Sequence, residues 1–99
     1  MDCIPALKAL GEETRLCIMR LLFDDQLNVT EISERLDVSI YNVSKHLRIM
    51  TEAGLLETEK SGKQGLYRVA GGLKHRMGQN LNVLDLGCCT FRLDRLNPK

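Results

Sequence analysis

The stretch VTEISERLDVSIYNVSKHLRIMTEAG, residues 29–54, decides the fold. Val29, Ile32 and Leu36 recur at helical spacing on a short segment that Asn28 or Thr30 caps. Asp37-Val38-Ser39 then makes a tight turn. Ser39 caps a second helix, running from Ile40 to about Ala53 and closed by Gly54. Two short helices joined by such a turn are a helix-turn-helix signal.

On the second helix Ile40, Val43, Leu47 and Met50 form an apolar stripe, which predicts the buried face. Tyr41, Ser44, Lys45 and Arg48 fall opposite, with Asn42 and His46 on the shoulders. This outer face has amide, hydroxyl and cationic groups and no acid before Glu52. A helix in the major groove needs that chemistry, because amides and hydroxyls read base edges while Lys and Arg neutralise phosphates.

Downstream, LLETEKSGKQGLYRVA (55–70) reads as strands Leu55 to Lys60 and Leu66 to Ala70 around the turn SGKQG. A hairpin directly after the second helix is the wing of a winged helix. Lys60, Ser61, Lys63 and Gln64 at its tip are placed to reach flanking phosphates or the minor groove, an ordinary solvated turn being the alternative. Upstream, EETRLCIMRLLF (12–23) predicts a helix with Arg15, Ile18, Met19, Leu22 and Phe23 on one face and Glu13, Cys17, Arg20 and Asp24 opposite. IPALKAL (4–10) predicts a shorter helix ended by Gly11. The expected fold class is α+β, mainly α: a winged helix-turn-helix with a two-stranded wing.

After Gly71-Gly72 the pattern weakens. Leu81, Leu84, Cys88 and Phe91 fit a helical stripe, while Gly78, Asn80, Asn82 and Gly87 oppose one. The expectation is a short helix over 73–80 and a partly extended tail.

The chain has 99 residues, 43% of them hydrophobic, which is enough for one core and predicts a single domain over 1–99. The net charge of +1 hides an asymmetry. Residues 1–38 carry four Lys/Arg against eight Asp/Glu, residues 39–76 seven against three, and residues 77–99 three against two. The basic third holds the second helix and the wing, as a polyanion partner requires, although such an excess also fits a solvated face. No run approaches the ~18 apolar residues of a membrane span, and MDCIPALKAL lacks the basic-then-apolar order of a secretory signal. The expected location is the cytoplasm. There four cysteines, Cys3, Cys17, Cys88 and Cys89, serve as free thiols, metal ligands or redox sensors rather than structural bridges. An enzyme is not expected, since the chain has neither a Gly-rich phosphate loop nor a paired-acid site.

ALKALGEETRLCIMRLL followed by VTEISERLDVSIYNVSKHLRIMTEAGLLETEKSGKQGLYRV resembles the ArsR/SmtB-type winged-helix repressors of bacteria over residues 6–70. The run from Ser39 to Leu56 is the most specific part. The resemblance implies a homodimer that binds double-stranded operator DNA without a required cofactor. It makes 40–53 the recognition helix, with Ser39, Tyr41, Asn42, Ser44, Lys45 and His46 contacting DNA, and 60–67 the wing. It also implies a dimer interface and sensor built from the N-terminal helix and the tail, 73–99, and release of DNA when a metal, metalloid or oxidant acts.

Two family sensing sites are missing. Where arsenite and cadmium sensors carry a cysteine pair, this chain has Val29-Thr30-Glu31-Ile32, and His75, Asp85 and Asp94 lack the spacing of the zinc-type set. The remaining candidates are Cys88 and Cys89, similar to the adjacent C-terminal cysteines of some arsenite-responsive members. Cys3, from the same or the partner chain, is the first choice of third ligand and Cys17 the second. Three thiolates suit As(III) or Sb(III), whereas Cd, Zn or Cu(I) accept two to four. The expected function is a repressor released by As(III) or Sb(III). The alternatives are a thiol-redox-responsive repressor and a winged-helix protein-interaction module.

Overall fold

The computed structural model describes residues 3–61, 64–71, 73–78 and 81–92. Four helices come first: α1 (Cys3–Leu10), α2 (Glu13–Asp24), α3 (Val29–Leu36) and α4 (Ile40–Glu52). The antiparallel hairpin β1 (Leu56–Ser61) and β2 (Gln64–Val69) follows, and then β3 (Lys74–Gly78), β4 (Leu81–Asp85) and β5 (Thr90–Arg92) in a second sheet. The winged helix-turn-helix is therefore present, with its two-stranded wing.

Local chemistry sets the helix ends. Asn28 Oδ1 accepts from Glu31 N at 2.8 Å while Glu31 Oε1 accepts from Asn28 N at 2.9 Å, a reciprocal capping box that starts α3. Asp37, with φ at 55° in the left-handed region, ends it. Ser39 Oγ accepts from Asn42 N at 3.1 Å and starts α4. Gly54 ends α4 with φ at 82°: its N–H donates to Thr51 O at 3.0 Å, and Leu55 N–H to Met50 O at 2.9 Å. These two bonds satisfy carbonyls that a helix C-terminus otherwise leaves open, and the positive φ is one that glycine adopts without strain.

The core is one cluster. Ile18 and Met19 of α2, Ile32 of α3, and Val43, Leu47 and Met50 of α4 are all fully buried. Leu27, 1% exposed, joins the wing to the helices through reciprocal bonds with Tyr67 at 3.2 and 2.8 Å. The register pairs Leu56 with Val69 and Ser61 with Gln64, so the strands reach one residue further towards the tip than the apolar pattern marks on β1 and two on β2.

Two expectations fail. Ile40 is 49% exposed: it occupies the first position after the Ser39 cap, and burial along α4 begins only at Val43. Residues 74–78, expected as helix, form β3, paired from Lys74–Asp85 to Gly78–Leu81. In the segment that follows, burial alternates: Leu84 and Leu86 are buried and Asp85 and Gly87 are less so, the two-residue period of a strand. Gly87, φ 90°, turns the chain with its N–H on Asp85 Oδ1 at 2.8 Å, and Leu86 N–H closes onto Cys89 O at 3.0 Å. Leu84, 0% exposed, thereby joins the core.

Leu84→Ala is expected to lower unfolding free energy by about 2–4 kcal/mol, the cost of a large-to-small change at a buried site. Urea denaturation followed by circular dichroism measures it. A loss near zero would show that the second sheet does not pack on the helical core.

Candidate nucleic-acid interface and thiol cluster

Because Val43, Leu47 and Met50 turn one side of α4 inward, the other side is held outward along the helix. Tyr41, 79% exposed, lines a surface groove with Ser44, Lys45 and Arg48. Asn42 is also exposed, and Ser39 is exposed while its hydroxyl serves the cap. Arg48 Nε lies 3.7 Å from Glu52 Oε1 with both side chains largely in water, a pair weak enough to exchange for a phosphate. Ile40 extends this surface at the helix start, where recognition helices meet base edges.

His46 does not share that face. Its side chain is only 18% exposed, and its Nδ1 accepts from Arg15 Nη1 at 3.1 Å, with Glu12 Oε2 at 3.8 Å. Burial lowers its pKa below the ordinary histidine value, Glu12 opposes this, and Arg15 and Lys45 reinforce it. Burial tends to raise the Glu12 carboxyl, but the N–H groups of Thr14 and Arg15 and the nearby Arg15 guanidinium bring it below the usual range, and a protonated His46 lowers it further. Arg15, which periodicity assigns to the apolar face of α2, also donates from Nε to Ala9 O in the last turn of α1. Nothing in the local sequence signals this three-helix junction, since its partners lie 6 and 31 residues away.

On the wing, Lys60 is exposed on β1. Arg68 is taken up by Glu59 at 2.7 Å and Glu57 at 3.7 Å. The wing is therefore less cationic than its Lys and Arg content implies. Gln64 opens β2, and Lys63 lies outside the described residues, as do Asp94 and the tail from 93.

The cysteines converge from opposite ends of the chain. Against the expectation of four unbridged cysteines, Cys3 at the start of α1 is disulfide-bonded to Cys88, 85 positions away, with a Cα separation of 6.5 Å, because α1 and the β4–β5 connection bring the two ends of the chain together. Cys89 Sγ lies 3.8 Å from Cys88 Sγ, at the turn made by Gly87. Three of the four thiol positions thus meet within one chain, with α1 and the β4–β5 connection holding them. Among the described residues no group of three His, Cys, Asp or Glu side chains is arranged to hold a metal ion, and joined sulfurs carry no thiolate for one. Cys17, partly buried on α2, is a free thiol whose pKa is pushed up by burial and further by Glu13 and Glu12.

A recognition helix with a polar and cationic outer face, seated in a helix-turn-helix and followed by a wing, defines a winged-helix DNA-binding domain. Comparison with known proteins agrees: a helix-turn-helix domain family matches residues 10–59. The transcriptional activator HlyU of Vibrio cholerae is 38% identical over 64 residues, 65% of this chain and 59% of that protein. The arsenical resistance operon repressor of Escherichia coli is 40% identical over 68 residues, 68% of this chain and 58% of that protein. The solved structure of reduced HlyU from V. cholerae superposes with a TM-score of 0.66 at 34% identity, covering 71% of this chain and 74% of that one. The chain belongs to the ArsR/SmtB-type family of winged-helix transcriptional repressors. Its match spans less than two thirds of the length of these two curated relatives. Members of the family are DNA-binding regulators rather than enzymes, and among the described residues no helix is long and apolar enough to cross a membrane.

Removing the neighbouring negative charge lowers a thiol pKa and raises its thiolate fraction. Glu13→Gln is accordingly expected to speed iodoacetamide alkylation of Cys17 by about two- to threefold at pH 7.5, a small factor because the pair is solvent-screened. Peptide mass spectrometry reads the rate. An unchanged rate would remove Glu13 as a cause.

Proposed function

We propose that the protein is a thiol-responsive transcriptional repressor that binds duplex operator DNA as a homodimer and is released by As(III) or Sb(III). The observation that carries the reading is the meeting of Cys3, Cys88 and Cys89 in a chain whose fold otherwise serves DNA binding. When reduced, these three sulfurs match the three-thiolate preference of trivalent arsenic and antimony better than that of the harder divalent ions. The name of the E. coli relative, an arsenical resistance repressor, supports the same inducer class.

DNA contact is assigned to Tyr41, Asn42, Ser44, Lys45 and Arg48 on α4, with Ser39 at its cap and Ile40 added to them. Lys60, Lys63 and Gln64 are assigned to the wing. His46, turned toward Arg15, leaves the set of direct contacts. The homodimer is proposed to form across α1, whose Leu7, one turn along the helix from Cys3, is 39% exposed, together with the C-terminal segment. Inducer binding at Cys3 then acts on the same helix that meets the partner.

A second reading has its own observation. The Cys3–Cys88 disulfide is an oxidised state, so an oxidant could act on the same thiols with no metalloid. Cys89→Ser separates the two, because it removes a third ligand and leaves the disulfide pair intact. Arsenite is expected to release DNA from the reduced parent and not from Cys89→Ser, while peroxide acts alike on both. Equal arsenite release from the two proteins would contradict the metalloid reading.

The DNA-binding assignment has a separate test. Lys45→Ala is expected to weaken duplex binding and to reduce the slope of log K against log salt by about one, as one lost phosphate contact does. Fluorescence anisotropy over a salt series measures it. An unchanged slope and affinity would take Lys45 out of the interface, and absence of salt-dependent binding by the parent would favour a protein-interaction module.

A further inference from the structure

We propose that Arg15 and His46 form a latch that positions the recognition helix for DNA, and that protonation of His46 opens it. The inference rests on the DNA-binding reading of α4 and adds a regulatory input to it. Arg15 has donors only, so the 3.1 Å contact from its Nη1 requires a lone pair on His46 Nδ1. The imidazole is therefore neutral and carries its proton on Nε2. The same guanidinium donates from Nε to Ala9 O, one of the carbonyls that the end of α1 leaves without a helical partner. The backbone N–H of Arg15 donates to Glu12 Oε2 at 3.0 Å, the cap that fixes the start of α2 from which the Arg15 side chain extends. One side chain of α2 thus ties the last turn of α1 to the middle of α4.

Protonation reverses the sign of the contact. An Nδ1–H would face the guanidinium as a second cation at the same distance, with Lys45 adjacent on α4 adding to the repulsion. Glu12, whose Oε2 is 3.8 Å from Nδ1, is the carboxylate among the described residues that can receive the new proton donor. The ring is drawn from Arg15 toward Glu12, and α4 loses the bond that ties it to Arg15 and, through Arg15, to the end of α1. Because His46 lies beside Lys45 and two positions from Ser44 and Arg48, loosening the helix there frees the groove-lining side chains around it. Burial of the ring, which lowers its pKa, keeps the latch closed at neutral pH. The group binds fewer protons folded than unfolded, so its contribution to stability is complete above about pH 6.5 and declines as pH falls below that value.

The pH profile of duplex affinity separates this role from a direct contact. A histidine that touches phosphate gains charge on acidification and tightens binding, whereas an opened latch weakens it. The test compares the full-length parent, His46→Asn and Arg15→Gln at pH 7.5 and 5.5, with duplex DNA at fixed ionic strength. Asparagine places an acceptor oxygen near the Nδ1 position and does not titrate. Parent affinity is expected to fall by roughly tenfold at the lower pH relative to His46→Asn, the scale of one hydrogen bond to a charged group. Arg15→Gln should lose most of that pH dependence. In DNA-free protein, Arg15→Gln should also raise the NMR titration midpoint of His46, because a neighbouring cation has gone. A parent that binds more tightly at pH 5.5, or a His46→Asn variant as acid-sensitive as the parent, overturns the latch. A parent that binds no duplex at either pH, with the His46 midpoint still raised in Arg15→Gln, overturns the DNA-binding reading and the positioning role with it. Failure of the midpoint to move, with DNA binding intact, overturns the latch alone.

Discussion

The seating of α4 on α2 governs everything outward of it. Val43, Leu47 and Met50 meet a core that includes Ile18 and Met19, and all five are fully buried. Burying side chains of this size contributes about 1.5–3 kcal/mol each relative to exposure, enough to hold the helix in one rotational setting. Once that stripe is inward, Tyr41, Ser44, Lys45 and Arg48 have no other direction than solvent. The wing is held to the same body by Leu27 and Tyr67, so helix and hairpin present their outer faces from a single rigid support. The proposed DNA-binding surface results from core packing, and the polar residues need only occupy the positions that packing leaves outside.

The same body connects the two ends of the chain. Cys3 begins α1 and Cys88 sits at the turn between β4 and β5, so the disulfide joins the first helix to the second sheet. The other end of α1 offers Ala9 O to Arg15, which in turn holds His46 on the recognition helix. Any change in the thiols that displaces α1 therefore reaches a hydrogen bond on α4 through one side chain. This is a short physical route from the proposed sensor to the proposed reader, and it involves no rearrangement of the apolar core.

Sequence reveals most where local rules act alone. The Ser39 cap, the αL glycine at 54 and the Val43, Leu47 and Met50 part of the α4 stripe each depend on residues within one or two turns and are read correctly from spacing, and the capping box chooses Asn28 over Thr30 at the start of α3. Ile40 is misread because periodicity assigns it to the stripe, while its exposure depends on where the helix end lies relative to the body. The tail is misread because Leu81, Leu84 and Cys88 satisfy a helical period, whereas the buried pair Leu84 and Leu86 follows the two-residue period of extended chain. The Asp85–Gly87 turn and the pairing with β3 decide in favour of the strand. His46 shows a different limit. Its type and position fit a DNA contact, and only the approach of Arg15 from 31 residues away turns it inward.

The outer face of α4, with the wing beside it, is where duplex DNA is proposed to sit, and the sensing and latch readings both depend on that placement. Amide hydrogen exchange of the reduced protein, with and without duplex at low salt, locates the contact whatever the operator sequence. Added protection is expected over residues 39–48 and along β1–β2, with β3–β5 unchanged. Protection confined to α1 or to the second sheet, with 39–48 exchanging as in the free protein, would contradict the placement.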